Sequence, residues 1–231
     1  PETLAKVKAT GADRIVFLPL YPQYSYAASE SSIVEMKKWH SRLMPGTELH
    51  IIEDFFNHAG FIQALVETFK EPLARVKPDL VMLSYHGIPE RQIAKTKNPP
   101  KVCCVPGCCD QWSKQNEQCY KAQCYETSRL MAKSLGLRDD QYTVAFQSRL
   151  GRTKWIEPYT DLILKDLPAK GIKRLLVASP SFTSDCLETL EEIQLRYREL
   201  FLEAGGEYFE YVPCVNATPT FVDAVVDLVK K

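Results

Sequence analysis

The chain holds 231 residues, 45% apolar and 25% charged, with 29 basic side chains balanced by 29 acidic ones. That profile excludes a fibrous or disordered protein and leaves room for one large α/β domain or two small ones with real cores. Zero net charge gives no global reason to expect a nucleic-acid partner, and no run of about 18 apolar residues offers a membrane span.

The opening run PETLAKVKATGADR has neither an initiating methionine nor the apolar core of a signal peptide. It enters the fold abruptly, so the chain is expected to lack its true N-terminal portion. RIVFLPL (14–20) predicts a buried strand ending at a proline turn, followed by a helix over 29–43 that Ser29 can cap. ELHII (48–52) is a second strand. Residues 57–76 carry Phe61, Leu65 and Phe69 at helical spacing. LVMLSY (80–85) is a third strand. A helix over 120–135, a strand over 142–146, a helix over 159–167 and a strand over 174–178 follow. A long helix over 185–204 is stopped by Gly205 and Gly206. A strand over 207–212 and a helix over 218–229 complete the series. Strands alternating with helices predict parallel sheets flanked by helices on both faces. Two segments break the alternation: a polar, cysteine-rich stretch over 89–118, and the loop QSRLGRTKWIEP (147–158).

Chemistry collects where predicted strands end, which is where ligands bind in parallel α/β folds. SYHGIPER (84–91) puts His86 just past an apolar strand, able to exchange protons near neutral pH or to bind a metal. A histidine merely hydrogen-bonded at a strand end is the bland reading. In SPSFTSDCLETLEEI (179–193), Asp185, Glu188 and Glu192 stand at i, i+3 and i+7 and would share one helix face. Three such carboxylates repel unless a cation or protons intervene. A solvated acidic face is the alternative. PLYPQYS (19–25) offers Tyr21 and Tyr24 at a crevice or, more simply, a rigid proline turn. Trp155 lies among Arg149, Arg152 and Lys154, a set that could stack on a flat ring and pair with its carboxylates.

Six of the eight cysteines crowd together: Cys103, Cys104, Cys108, Cys109, Cys119 and Cys124. Without a secretion signal such crowding points to a metal more than to a disulfide framework. The doublets of CCVPGCC differ from the paired knuckles of a zinc ribbon, so an iron–sulfur cluster held by four of the six is favoured over zinc.

PLYPQYS, SYHGIP, the helix opening at Tyr120, FQSRLGRTKW, FTSDCLETLEE and VNATP, in this order, resemble segments of the ferrochelatase family. The likeness covers nearly the whole chain outside about 91–118. It implies two Rossmann-like, chelatase-type α/β halves around a cleft. The first would comprise 1–56 plus 214–231 and be N-terminally truncated; the second would comprise 57–213. The last helix would pack back on the first half. By resemblance His86 and Glu188 are the catalytic pair, and His86, Glu188, Asp185 and Glu192 are metal ligands. Tyr21, Trp155 and Ser148 are porphyrin contacts. The cysteine segment looks like an internal 2Fe-2S site. The implied activity is insertion of Fe2+, the substrate metal, into protoporphyrin IX in haem biosynthesis. The setting would be the cytoplasm, with peripheral membrane contact left open at an apolar cleft mouth. Two other readings stand beside it: a cobalt or nickel chelatase of a more polar tetrapyrrole, and a non-enzymatic iron–sulfur regulatory module.

Overall fold

The computed structural model describes residues 1–95 and 107–230, so Cys103 and Cys104 lie outside the described residues. A short helix, α1 (Glu2–Ala9), precedes the first strand, β1 (Arg14–Phe17). β1 pairs in parallel with β2 (Glu48–Ile51), Arg14 opposite Glu48. Their crossover is a π-helical turn, Tyr26–Glu30, running into α2 (Ser31–Leu43). The second sheet is built from β3 (Leu80–His86), β4 (Tyr142–Gln147), β5 (Arg174–Ala178) and β6 (Tyr208–Tyr211). Its order is β4-β3-β5-β6 and every pairing is parallel. The helices are α3 (Ala59–Val76), α4 (Glu90–Ile93), α5 (Tyr120–Leu135), α6 (Thr160–Asp166), α7 (Arg198–Glu203) and α8 (Pro219–Lys230). The protein is thus α/β with parallel sheets flanked by helices, as the alternation predicts.

Central β3 explains why its sequence reads as a continuous apolar run. Residues from Leu80 to Tyr85 are all buried, because both faces are covered. Leu83 and Tyr85 join Phe61, Phe69 and Phe146 on one side, whereas Met82 joins Leu175, Val177, Phe201 and Phe209 on the other. Alternation of side chains along the strand sends neighbours to opposite layers.

Three expectations are corrected. The predicted helix over 185–204 is a π-helix, Glu188–Tyr197, continued by α7. A hydrophobic period of 3.6 does not foresee i→i+5 bonding. Ser25, not Ser29, caps the earlier helical segment, its Oγ accepting from Ala28 N at 3.2 Å, while buried Ser29 accepts from Ser25 N. Finally, α8 packs on α3, which the resemblance puts in the second half. Phe61 and Phe221 meet there at 6.0 Å, and the missing side chain of Gly60 makes room for Ala224, whose Cβ a Cβ at 60 would approach to 2.9 Å.

Fully buried Gln123 ties the two sheets' surroundings together. Its Oε1 accepts from Tyr24 N (2.5 Å), and its Nε2 donates to the Glu117 carbonyl (2.7 Å) and to Asp54 (3.1 Å). Burial pushes the Asp54 carboxyl up to about 6, with Glu53 and Glu117 adding repulsion and the Gln123 bond opposing. Between its ordinary 3.8 and about 6 the folded chain holds a proton that the unfolded chain has released. Stability therefore falls as pH rises through that window. Asp54→Asn should raise stability at pH 8 by about 2–3 kcal/mol, with the gain fading toward pH 4. Thermal melts at both pH values check this; an equal gain at pH 4 and pH 8 would contradict it.

Candidate active site

Beyond the carboxyl ends of β1, β3 and β5 lies a cavity of about 410 Å³. Leu20 and Tyr21 come to it from the loop after β1, His86 and Ile88 from the end of β3, and Ser181, Phe182 and Cys186 from the loop after β5. Tyr120, at the start of α5, completes one side. Parallel strands deliver their C-terminal loops to one edge, which is why motifs scattered over 160 residues meet there.

His86 is held on several sides. Its backbone N–H donates to Ser181 Oγ (3.0 Å), and its carbonyl accepts from the Tyr120 hydroxyl (2.7 Å). The ring sits between Phe182 and Trp155, with centroids 6.1 and 6.3 Å away. Its Nδ1 is 2.6 Å from the Gly87 carbonyl. A carbonyl only accepts, so Nδ1 carries the hydrogen, and in the neutral ring Nε2 holds the lone pair. Gly87 donates to the Gln147 carbonyl at 2.8 Å, and a Cβ at 87 would come within 2.8 Å of that oxygen and 3.2 Å of Trp155. Gly87→Ala should therefore displace the imidazole and cost about 1–3 kcal/mol, as overpacking does. The melting temperature checks this, and an unchanged value would refute the tight fit.

Beneath the histidine runs a buried polar chain. Ser84 Oγ (2.9 Å) and Ser179 Oγ (3.3 Å) donate to Gln147 Oε1, and Gln147 Nε2 donates to the Glu188 carbonyl (3.2 Å). Glu188 begins the π-helix. The thiol of Cys186, 3.2 Å from Glu188 Oε2, holds its carboxyl below the usual range, helped by a backbone N–H and by the positive charge that His86 carries when protonated. The histidine and the glutamate, 102 residues apart, thus lie within electrostatic reach of each other.

The other two acidic residues behave differently from the expectation of one shared face. Asp185 precedes the helix. Its carboxylate accepts from the Tyr211 hydroxyl (2.8 Å), Cys214 N (3.1 Å) and Asn216 Nδ2 (2.8 Å). Burial alone would raise its pKa, but these donors hold it below the ordinary value. Buried Glu192 accepts from Ser148 N (3.0 Å), Ser148 Oγ (2.5 Å) and the Tyr197 hydroxyl (2.7 Å). The i, i+3, i+7 count presumes an α-helix starting at 185, and none starts there.

Tyr21 lines the cavity and is half exposed. Trp155 borders the histidine, its indole N–H donating to the Leu150 carbonyl (2.9 Å). Ser148 is bound to Glu192 and is not among the lining residues. The neighbouring cations turn away: Arg149 pairs with Asp161 (2.7 Å) and lies over Tyr159, and Lys154 pairs with Glu90 (3.1 Å). Motif reading passed over Cys186, Gln147 and Phe182. Cys186 lies within the motif FTSDCLETLEE, and only its contact with Glu188 sets it apart from the crowded cysteines.

Of the six crowded cysteines the four described ones, Cys108, Cys109, Cys119 and Cys124, line no part of the cavity. Cys108 and Cys109 place their sulfurs 3.6 Å apart. Hydrogen bonding to Cys119 and burial push the Cys109 thiol far up. Cys124 is fully buried on α5 beside Tyr120. Among the described residues no three His, Cys, Asp or Glu side chains converge to hold a metal ion, and no helix is long and apolar enough to cross a membrane.

Comparison with known proteins agrees with this placement of motifs. In solved structures, SirB from Bacillus subtilis with Fe3+ matches with a TM-score of 0.64 at 15% identity, covering 99% of this chain and 74% of that one. CbiX, the terminal enzyme for biosynthesis of siroheme in denitrifying bacteria, matches with a TM-score of 0.54 at 12% identity. These likenesses show a shared chelatase-type fold. In sequence, a ferrochelatase of Coxiella burnetii (strain Dugway 5J108-111) is 44% identical over 228 residues, which cover 99% of this chain and 63% of that protein. A ferrochelatase of Legionella pneumophila (strain Lens) is 43% identical over 230 residues, covering 99% and 68%. The chain therefore spans about two thirds of the length of these relatives. The ferrochelatase family model matches residues 1–231, and with the cavity, the histidine and the strand-end motifs in their places the chain belongs to the ferrochelatase family.

Proposed function

We propose that the protein is a lyase that inserts Fe2+ into protoporphyrin IX to form protohaem. One observation carries the reading: His86, with Nδ1 anchored on the Gly87 carbonyl, borders a largely apolar cavity at the strand ends. Metal insertion must strip two pyrrole protons from a flat, apolar ring. A neutral imidazole with a lone pair on Nε2 is the right base, and an apolar wall is the right host. Tyr21, Phe182 and Trp155 would grip the macrocycle. Glu188, kept ionised by the Cys186 thiol, would receive the cation. Asp185 and Glu192, already filled by protein donors, would position the loops around it instead of binding metal. Ser148 would act through Glu192 and not by touching the ring.

Titration with protoporphyrin should shift its Soret band, and anaerobic Fe2+ should then convert the free-base spectrum to that of haem. No shift at tens of micromolar porphyrin, or turnover only with cobalt and sirohydrochlorin, would replace this reading with the polar-tetrapyrrole alternative.

The crowded cysteines fit a 2Fe-2S cluster in part. Two sulfurs on one tetrahedral iron at ~2.3 Å would stand roughly 3.7 Å apart, and Cys108 and Cys109 stand at 3.6 Å. Cys109 also lies within hydrogen-bonding reach of Cys119, so three thiols crowd one another here. Cys108, Cys109 and Cys119 would have to draw closer together to serve as donors, since no three converge among the described residues, and a fourth of the six cysteines would complete the set. A cluster supplies a one-electron couple. Visible absorption that bleaches on reduction, with two irons and two sulfides per chain by chemical analysis, tests it. Six described cysteines carry free thiols, which suits the cytoplasm. Exposed Leu20 and Tyr21 at the cavity suit contact with a membrane surface.

A further inference from the structure

We propose that Cys108, Cys109 and Cys119 form a thiol relay, in which Cys108 captures a small-molecule disulfide and passes the oxidation inward to a Cys109–Cys119 disulfide. Cys109 touches both of the others. Its Sγ lies 3.6 Å from that of Cys108, and it is within hydrogen-bonding reach of Cys119. Cys109 and Cys119 are buried, whereas Cys108 is half-buried and borders two open cavities of about 340 and 450 Å³. Of the three, Cys108 is thus the one an oxidant meets. Protein donors hold the arrangement in place. Asn116 Nδ2 donates to the Cys108 carbonyl (3.1 Å), Arg129 donates to the Cys109 carbonyl (3.0 Å), and Cys119 N donates to the Asn116 carbonyl (2.9 Å).

Attack by Cys108 on the oxidant joins it to one half and releases the other half as a thiol. Cys109 then displaces the second half from Cys108, and Cys119 displaces Cys108 from Cys109. In sum, two protein thiols are oxidised to one disulfide. The oxidant is reduced to two thiols, which take up the two protein S–H protons. The bond between Cys108 and Cys109 is the transient one. Neighbouring Cα atoms stand about 3.8 Å apart, below the span of roughly 4.4–6.8 Å that a disulfide prefers. Cys119 is ten residues from Cys109 and escapes that limit. Two sulfurs in contact suffice for this chemistry, so it does not rest on the 2Fe-2S reading. The linkage also lies one peptide bond from the active site. Tyr120 follows Cys119, borders the cavity and donates its hydroxyl to the His86 carbonyl (2.7 Å). Drawing Cys119 toward Cys109 therefore loosens a positioning group of His86.

The test uses the purified chain, reduced, freed of iron with a chelator and then exposed to glutathione disulfide. Peptide mass spectrometry follows each cysteine with time. A glutathione adduct on Cys108 should appear first and decay as a Cys109–Cys119 linkage grows. Cys108→Ser should slow that linkage about tenfold or more, because the oxidant must then reach a buried sulfur. An adduct on Cys108 that persists without linkage, a linkage joining another pair, or an unchanged rate in Cys108→Ser would each overturn the relay. Should Cys108→Ser fail to fold, the order of events and the partners of the linkage in the unaltered chain still decide. Carbethoxylation of His86 by diethyl pyrocarbonate, read in the same spectra, should run several-fold faster in the oxidised chain and return to its first rate with dithiothreitol. Equal rates in the two states would overturn the link to the active site.

Discussion

If the protein inserts iron as proposed, replacing His86 with alanine is expected to lower that activity by two to four orders of magnitude, the usual contribution of a general base, while leaving the fold intact. The imidazole borders a largely apolar cavity beside Phe182, with Trp155 behind it, and its backbone bonds to Ser181 and Tyr120 survive the change. Porphyrin affinity should fall far less than turnover, because most ring contact comes from apolar neighbours. Anaerobic turnover, porphyrin titration and circular dichroism on the same preparation check the three statements. Turnover within a few-fold of the unaltered protein would show that the proton acceptor lies elsewhere.

The second large effect is on stability. Glu192→Ala removes a buried carboxylate that accepts from Ser148 N, Ser148 Oγ and the Tyr197 hydroxyl. Each buried donor left without a partner costs about 1–3 kcal/mol, so a loss of about 3 kcal/mol or more is expected. For a chain of this size that corresponds to roughly 6–12 °C in Tm. The loop after β4 should loosen with it, since Ser148 anchors there with φ +64°, and Trp155 rides on the same loop beside His86. Glu192→Gln retains one acceptor and should lose less. A melting temperature unchanged in Glu192→Ala would return this residue to the role of a wet, metal-facing carboxylate.

These two residues also mark the difference between what motifs and packing can say. His86 was legible because its context is local: an apolar run, a histidine, then Gly87 and Pro89, which end the pairing. The hydrogen bonding of Glu192 is not legible in the sequence because its partners are remote. Ser148 is 44 residues away, and the π-helix that carries Glu192 differs from the α-helix that spacing assumes. Cys186 was overlooked for a similar reason. Its meaning lies in a 3.2 Å approach to Glu188 and in a cavity shared with His86, neither of which composition reports. Asp185 reads as one of an acidic row, yet its carboxylate is spent on Tyr211, Cys214 and Asn216.

By itself the amino-acid sequence determined the α/β class, the order of its strands and helices and the family. Apolar periodicity, helix stops and short motifs are properties of neighbouring residues, and they survive without knowledge of the fold. Tertiary structure alone decided which carboxylate stays ionised beside the histidine and which ones hold loops, which tautomer the histidine adopts, and against which helix the chain's last helix lies. Those outcomes depend on burial and on hydrogen bonds between segments tens to more than a hundred residues apart, and they are set only once parallel strands have brought their loops to one edge.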